Sequence, residues 1–194
     1  MKIQLANGDA LIVVDVQRDF LPGGSLSVPQ GEEVVSVLNR YLALFRIKNL
    51  PVFATRDWHP PDHCSFSEQG GAWSAHCIAG SPGAAFPENL DLPGSAHIVS
   101  KADAPEKEAY SGFAGTRLDD LLRAGGVRRV FVGGLATDYC VLHTVKDALS
   151  CGYTTLLLED AVRAVDARSG DGQRAIMEML GLGAIAVRLE DIAA

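Results

Sequence analysis

Acidic, imidazole and thiol side chains are concentrated in one stretch of the chain, residues 55–77, which reads TRDWHPPDHCSFSEQGGAWSAHC. The stretch holds three of the five histidines and two of the four cysteines, and Asp57 stands two residues before His59. Carboxylate, imidazole and thiolate groups are the protein ligands of zinc and its neighbours among the transition metals. The stretch therefore raises the hypothesis of a metal site.

Three interpretations of this stretch are open. Its histidines can form ordinary hydrogen bonds in a loop. A structural zinc site can use the two His-Cys pairs at 63–64 and 76–77, although in the usual spacing the cysteines pair first and the histidines follow. An open site can use Asp57, His59 and His76 and leave coordination positions for water and substrate, as catalytic metal sites do.

A second reactive group stands in GGLATDYCV, residues 133–141. Thr137 or Asp138 can cap a helix there, which places Cys140 in the first turn. The positive end of the helix dipole favours the thiolate, the nucleophilic form of cysteine. The alternative is a small buried cysteine packed under the helix start. The fingerprint GxGxxG is absent, so no nucleotide cofactor is expected.

Asp15 and Lys101 are further candidates because each follows an apolar, strand-like run. A carboxylate that is partly buried beside a thiol has a raised pKa and can accept the thiol proton. An ammonium group beside both would favour their charged forms. Each residue taken alone has a plainer interpretation, a turn-capping acid for Asp15 and a solvated lysine for Lys101.

Strand-like and helix-like stretches alternate along the chain and must position these groups. Strands are predicted over 10–15, 50–57, 97–103, 127–135, 153–160 and 184–192, and helices over 32–49, 115–125, 138–152 and 171–183. The alternation predicts an α/β fold, a mostly parallel, doubly wound sheet with helices on both faces. In such sheets ligands bind outside the carboxyl ends of the strands, where Asp15, Asp57, Lys101 and Cys140 are all placed.

Residues 59–96 form a long irregular stretch rich in Gly, Pro and Ser, and connections of this length are often functional. We find no internal repeat and no low-complexity linker, and 194 residues fit a single domain over 1–194. The apolar run 10–14 is interrupted by Asp15 and predicts a buried strand rather than a signal peptide. A cytoplasmic location and reduced cysteines are therefore expected.

Composition argues against some partners. The net charge is −7, the pI is about 5.1, and no cluster of five basic residues occurs. Such an anionic chain is not expected to bind nucleic acid or an anionic membrane through bulk charge. A small-molecule substrate is the expected partner.

Five motifs, in order and over essentially the whole chain, resemble one known family. They are LIVVDVQRDF with Asp15, TRDWHP with Asp57 and His59, WSAHC with His76, SKADAPEKEAYSGF with Lys101, and GLATDYCV with Cys140. This pattern resembles the nicotinamidase/pyrazinamidase family of the isochorismatase-like cysteine hydrolases. The resemblance implies a three-layer αβα fold with a six-stranded sheet.

The resemblance also implies an activity, the hydrolysis of nicotinamide to nicotinate and ammonia and of pyrazinamide likewise, in the context of NAD salvage. By the same resemblance Cys140 is the nucleophile, Asp15 the proton carrier and Lys101 the third member of a catalytic triad. The backbone N–H groups of Ala136 and Cys140 would form the oxyanion hole. A cis peptide bond between Leu135 and Ala136 is implied beside them.

The family pattern favours the open metal site, with one divalent ion (zinc, iron or manganese) coordinating the pyridine nitrogen of the substrate. It leaves His63 open as a fourth ligand or a supporting group, and it leaves a homo-oligomer open. The substrate-binding residues implied by resemblance are Phe20, Trp73, Tyr110 and Ala136.

Two alternative functions are weighed against this one. A sibling cysteine amidohydrolase would act on a carbamoyl or ureido compound with the same triad, and such relatives generally lack the metal pattern of Asp57, His59 and His76. A non-catalytic partner-binding protein on the same scaffold would be expected to lack a triad or metal residue, and none is missing here.

Overall fold

Six strands form one sheet in the computed structural model, which describes residues 2–193. They are β1 (Asp9–Val14), β2 (Val52–Asp57), β3 (His97–Lys101), β4 (Arg129–Leu135), β5 (Thr154–Arg163) and β6 (Ile185–Val187). Their order in the sheet is β3-β2-β1-β4-β5-β6, and every neighbouring pair is parallel. The predicted doubly wound parallel sheet is confirmed.

Four α-helices in the described part of the chain cover the sheet: α1 (Glu33–Ile47), α2 (Leu118–Ala124), α3 (Leu142–Ser150) and α4 (Asp171–Gly181). The side chains of β1 alternate between the two faces. Leu11 and Val13 pack in a core with Phe45 of α1, whereas Ile12 packs in a second core with Val145 of α3. Helix α1 therefore lies on one face and the other three helices on the opposite face, which confirms the three layers.

The strand order reverses between β1 and β4, because β2 and β3 extend the sheet on one side and β5 and β6 on the other. In open parallel sheets the connections diverge at such a point and leave a crevice at the carboxyl ends of the two central strands. Asp15 directly follows β1, and Cys140 lies five residues beyond the end of β4 at Leu135. The topology therefore brings the proton-carrier candidate and the nucleophile candidate to one crevice.

The irregular stretch 59–96 folds over the carboxyl end of β1. It contains a single 3₁₀ turn, Ser67–Gln69, and two isolated bridges, His59 with Ile78 and Phe66 with Trp73. Two backbone bonds join it to the segment after β1, from Arg18 N–H to the carbonyl of residue 85 (2.9 Å) and from Asp19 N–H to that of residue 83 (3.0 Å). The long connection is ordered and forms one wall of the crevice.

The last strand is shorter than predicted. The last strand ends at Val187 rather than near 192, because Asp160 accepts a hydrogen bond from Leu189 N–H (2.9 Å) and a 3₁₀ turn, Leu189–Asp191, follows.

The apolar run 10–14 is a buried strand, as predicted. Within residues 2–193 no helix combines the length and the apolar composition that crossing a membrane requires.

Candidate active site

Asp15, Lys101 and Cys140 meet beneath the crevice as one buried cluster. Lys101 Nζ lies 2.9 Å from Asp15 Oδ2 and 3.5 Å from Cys140 Sγ, and it donates a hydrogen bond to the Ala109 carbonyl (3.0 Å). The side chains of Lys101 and Asp15 are fully buried. The three residues lie at or beyond the carboxyl ends of three different strands, so the parallel sheet places them together as the sequence predicted.

Thr55 and Asp57 of β2 complete the hydrogen bonds of this cluster. Thr55 stands beside the end of β1, where its hydroxyl donates to Asp15 Oδ1 (2.6 Å). Asp57 Oδ1 accepts from Lys101 Nζ (2.5 Å). Asp15 Oδ2 has, among residues 2–193, no hydrogen-bond partner apart from its ion pair with Lys101. That oxygen is therefore available to take a proton.

Burial dominates the protonation of the cluster. It raises the pKa of the Cys140 thiol well above its ordinary value, and the nearby Lys101 offsets this only in part. Burial likewise raises the pKa of the Asp15 carboxyl. Burial alone would lower the pKa of Lys101, but Asp15 and Asp57 together raise it well above its ordinary value. Burial therefore opposes the preference for a thiolate that the helix start was predicted to give, and the structure places the Asp15 carboxyl beside the thiol to accept its proton.

The segment that carries Cys140 is wider than an α-helix. Residues Thr137–Val141 form a π-helical turn, in which Val141 N–H bonds to the carbonyl of Ala136 (3.1 Å), and α3 begins only at Leu142. The helix predicted from residue 138 therefore starts with this turn, and π turns are frequent at functional sites. The peptide bond between Leu135 and Ala136 is cis.

Gly134 shows why glycine precedes this turn. Its φ is +130°, and a Cβ atom there would lie 2.1 Å from the carbonyl oxygen of Val14. Side chains larger than hydrogen are therefore excluded on both conformational and steric grounds. The close approach brings the segment leading to Cys140 against the end of β1.

Asp57, His59 and His76 form a candidate metal centre. One ligand atom from each lies within 4.8 Å of the others, and all three side chains are buried. His59 Nδ1 lies 3.0 Å from the Ala102 carbonyl and His76 Nδ1 2.7 Å from the Ser74 carbonyl. A carbonyl can only accept, so each Nδ1 carries the proton and each Nε2 keeps its lone pair for a metal.

The electrostatics fit a divalent cation. Burial, with His76 and His63 adding to it, lowers the pKa of His59 to about 3, so the ring is neutral near pH 7. Asp57 supplies the negative charge and divides its two oxygens, with Oδ1 on Lys101 and Oδ2 3.8 Å from His59 Nε2. Neutral imidazole and carboxylate are the ligands that zinc and related ions take.

His63 has no ring nitrogen to spare for a metal. Its ring stacks on His59 with centroids 4.1 Å apart. Nε2 lies 3.0 Å from the Lys107 carbonyl and must donate to it, and Nδ1 lies 2.7 Å from Ser65 Oγ. The structure therefore places His63 behind His59 as a packing neighbour, in the role of a supporting group.

Asp15, Asp57 and Cys140 form a second cluster of ligand-type groups, again with atoms within 4.8 Å of one another. Lys101 Nζ contacts all three, at 2.9, 2.5 and 3.5 Å respectively. The cation of this cluster is therefore the lysine ammonium.

The cluster and the metal centre border one cavity of about 470 Å³, a volume that includes the open solvent at its mouth. Cys140 and the three metal-ligand candidates line it, together with all four predicted substrate-binding residues, Phe20, Trp73, Tyr110 and Ala136. The predicted nucleophile, metal ligands and substrate-binding residues therefore share one cavity.

Tyr139 and Glu108 are among the lining residues that were not predicted from the sequence. Tyr139 packs edge-on against Trp73 with ring centroids 5.0 Å apart, and its position next to Cys140 is a signal that could have found it. Trp73 Nε1 donates to the hydroxyl of Tyr110 (3.1 Å), which joins two walls of the cavity. A flat aromatic ring matches such walls.

Two acidic side chains, Asp19 and Asp138, accept backbone hydrogen bonds from neighbouring loops. Asp19 accepts hydrogen bonds from Cys77 N–H (2.7 Å) and Ser25 N–H (3.3 Å). Asp138 accepts from the N–H groups of residues 165 and 166, both at 2.9 Å. Both carboxylates therefore hold connections beside the cavity.

Comparisons with known proteins agree with this geometry. The family model of the isochorismatase domain matches residues 9–191. The nicotinamidase of Escherichia coli is 37% identical, over 94% of this chain and 95% of the relative. The crystal structure of the pyrazinamidase of Pyrococcus horikoshii in complex with zinc is 49% identical, with a TM-score of 0.90 over 94% of this chain and 99% of that one. The structure of PnC1 from L. infantum in complex with nicotinate is 35% identical, with a TM-score of 0.92 and full coverage of both chains.

Fold and site together define the class: a three-layer α/β enzyme with a cysteine, a carboxylate and a lysine at the crossover of its parallel sheet. Within this class, the comparisons identify one family. The chain belongs to the nicotinamidase/pyrazinamidase family of the isochorismatase-like cysteine hydrolases.

Proposed function

We propose that this protein hydrolyses nicotinamide to nicotinate and ammonia, and pyrazinamide to the corresponding acid, through a thioester on Cys140. The observation that carries the proposal is the meeting of Cys140, Asp15 and Lys101 next to a cavity that Asp57, His59 and His76 also line. A triad of this composition without the metal centre would suit a carbamoyl or ureido substrate equally well, so the three ligand candidates favour a pyridine or pyrazine ring.

Acylation begins with a proton transfer. Asp15 takes the thiol proton of Cys140, and Oδ2 is the oxygen that has no hydrogen-bond donor other than Lys101. The sulfur then bonds to the carboxamide carbon, and the electron pair of the carbonyl moves to its oxygen. Lys101 stabilises the negative charge of the cluster throughout, because its raised pKa keeps the ammonium protonated.

The oxyanion is assigned to the N–H groups of Ala136 and Cys140. The first turn of a helix has N–H groups without partners inside the helix, and Cys140 belongs to the turn that follows Ala136. One such donor contributes about 3 kcal/mol to the stability of an oxyanion. Asp15 returns its proton to the nitrogen, the carbon–nitrogen bond breaks, and ammonia leaves.

In deacylation Asp15 again accepts a proton, now from water, and returns it to Cys140. A water molecule gives a proton to Asp15 as its oxygen bonds to the thioester carbon. The carbon–sulfur bond then breaks, Asp15 returns the proton to Cys140, and the carboxylic acid is released. One acid/base can serve both halves because the second is chemically the reverse of the first.

Asp57, His59 and His76 would hold the metal ion, which when bound supplies a Lewis acid for the ring nitrogen of the substrate. We infer zinc, iron or manganese as the ion, since mixed carboxylate and imidazole ligands accept each of them. The zinc in the related pyrazinamidase supports this ligand chemistry. Phe20, Trp73 and the other walls would stack against the ring.

We further infer that residues 1–194 act as a single cytoplasmic domain on a small neutral amide, with no nucleic acid or membrane as partner. The acidic composition supports this inference. Self-association into a homo-oligomer is compatible with it, and light scattering of the purified protein would measure the oligomeric state.

The test is ammonia release from nicotinamide and pyrazinamide by the metal-loaded protein, with an N-carbamoyl amino acid run in parallel. We expect Cys140→Ala to lower the rate by about 10³-fold or more. Cys151→Ala is the matched control, because this cysteine lies at the end of α3 away from the cavity, and it is expected to keep the wild-type rate. Full activity of Cys140→Ala, or turnover of the carbamoyl compound alone, would contradict the proposal.

A further inference from the structure

One fully buried amide, Gln17, makes three hydrogen bonds next to the candidate metal centre without lining the cavity. Its Nε2 donates to the carbonyl oxygens of Asp57 (2.8 Å) and Ala84 (2.9 Å), and its Oε1 accepts from Asp57 N–H (2.8 Å). Both donor hydrogens of the amide are used. A flipped amide would break all three bonds, so its orientation is determined.

The place of these bonds in the sheet explains why a side chain is needed. The β1–β2 ladder ends where Val14 pairs with Thr55, because the chain turns away at Asp15, whose φ is +49°. The backbone of Asp57 would then have an N–H and a carbonyl buried without partners on the β1 side, which is costly. The Gln17 amide takes the position of the missing strand residue and pairs with both groups.

Asp57, which Gln17 holds in this way, belongs to both the catalytic cluster and the metal centre. Asp57 directs Oδ1 to Lys101 and Oδ2 towards His59. A small rotation of its backbone would move both oxygens together. The bond to Ala84 also ties the connection that carries His76 to the same amide.

We propose that Gln17 is a positioning residue for the metal centre, which sets metal affinity by holding the backbone of Asp57. The inference rests on the metal site of the proposed function. Partners that orient a metal ligand typically change metal affinity by about 10- to 100-fold when they are removed. Gln17 acts here through the main chain of the ligand.

The variant Gln17→Met tests this, since it keeps the length of the side chain and removes all three bonds. The matched control is Asn39→Ala. The Asn39 amide also pairs with the backbone of the 59–96 connection, donating to the Asn89 carbonyl (2.7 Å) and accepting from Asp91 N–H (2.9 Å), and none of these three residues lines the cavity at the metal centre. The control shows whether the loss of any hydrogen bond to this connection changes zinc affinity, or only the loss of the bonds to Asp57.

Zinc affinity of the metal-free proteins is measured by competition with a chromogenic chelator, and the visible spectrum of bound Co²⁺ reports the ligand geometry. We expect zinc to bind Gln17→Met about 10- to 100-fold more weakly than wild type, with an altered Co²⁺ spectrum. Asn39→Ala is expected to match wild type in both. Wild-type zinc affinity and Co²⁺ spectrum in folded Gln17→Met would overturn the proposal.

A second variant helps to distinguish weaker zinc binding from a defect in folding. Gln17→Glu keeps the shape and one acceptor but sets a carboxylate oxygen against two carbonyl oxygens, and it is expected to weaken zinc binding as well. Affinity is expressed per folded molecule from circular dichroism and from the rise of the unfolding midpoint with zinc. If neither variant folds even with saturating zinc, the amide holds the fold rather than the ligand, and the proposal fails. A wild-type protein that binds no zinc would instead refute the metal site of the proposed function.

Discussion

The hydroxyl of Thr55 offers a nearly isosteric way to change the proton affinity of the catalytic carboxyl. Thr55 is fully buried, and its Oγ1 donates to Asp15 Oδ1 over 2.6 Å. Replacement by valine keeps the volume and the branched shape of the side chain and removes the donor. The bond to the ionised carboxylate is lost, and no cavity forms.

The magnitude follows from the charge of the acceptor. A hydrogen bond to a charged group is worth about 1.5–3 kcal/mol, and 1.36 kcal/mol corresponds to about one pKa unit. The bond favours the ionised form, so its loss raises the Asp15 pKa by about one to two units. Burial already raises this pKa, so the change adds to an existing shift in the same direction.

The assay is the pH dependence of kcat/KM for ammonia release from nicotinamide by the metal-saturated enzyme. Because Asp15 must be ionised to take the thiol proton, we expect the acid limb for Thr55→Val to move to higher pH by about one to two units. Thr155→Val is the matched control, since Thr155 is equally buried but bonds to the Tyr153 carbonyl, away from the site. An acid limb that stays at its wild-type position, or one that moves equally in the control, would refute the role assigned to Asp15.

Two further changes test the geometry around this carboxyl. Gly134→Ala is expected to destabilise the fold severely, because the added Cβ would lie 2.1 Å from the Val14 carbonyl at a φ of +130°. Its denaturation midpoint is compared with that of Gly181→Ala, where nothing lies within 4 Å and little change is expected, and a Gly134→Ala protein of wild-type stability would contradict the packing described. Lys101→Met is expected to cost about 3–5 kcal/mol of unfolding free energy, because it leaves two buried carboxylates without their cation. The exposed pair of Lys146 is the comparison, and Lys146→Met is expected to cost at most about 1 kcal/mol in the same denaturant titration. Equal losses in the two lysine variants would show that the buried ion pairs contribute no more than the surface pair.

Much of the fold follows from local pattern. The run 10–14 is apolar at every position, as a strand buried on both faces must be, and it forms β1. The stripe of apolar residues along 33–47 matches a helical period and packs α1 against the sheet. Once the strands are parallel, their carboxyl ends must lie on one edge, so Asp15, Asp57 and Lys101 were correctly expected together.

Some features of the site lie beyond any local pattern. Thr55 and Gln17 stand inside quoted motifs, but their residue types indicated no role, and their contacts with the site depend on strand register and on a turn of the chain. The π-helical turn at Thr137–Val141 replaced the predicted first turn of a helix. His63 has the same residue type as the ligand candidates, and only its contacts with Ser65 and Lys107 show that both ring nitrogens are engaged.

The sequence by itself determined which chemical groups this protein has, which strands they follow and therefore the edge of the sheet where they gather. The tertiary structure alone decided how deeply these groups are buried and how Asp57 is shared between Lys101 and the metal centre. The physical reason is that hydrophobic periodicity reports burial along one segment. Desolvation and ion pairing depend on groups that come from several segments to within a few ångströms of one another, and for Cys140 burial raises the pKa of the thiol, against the preference of the helix start.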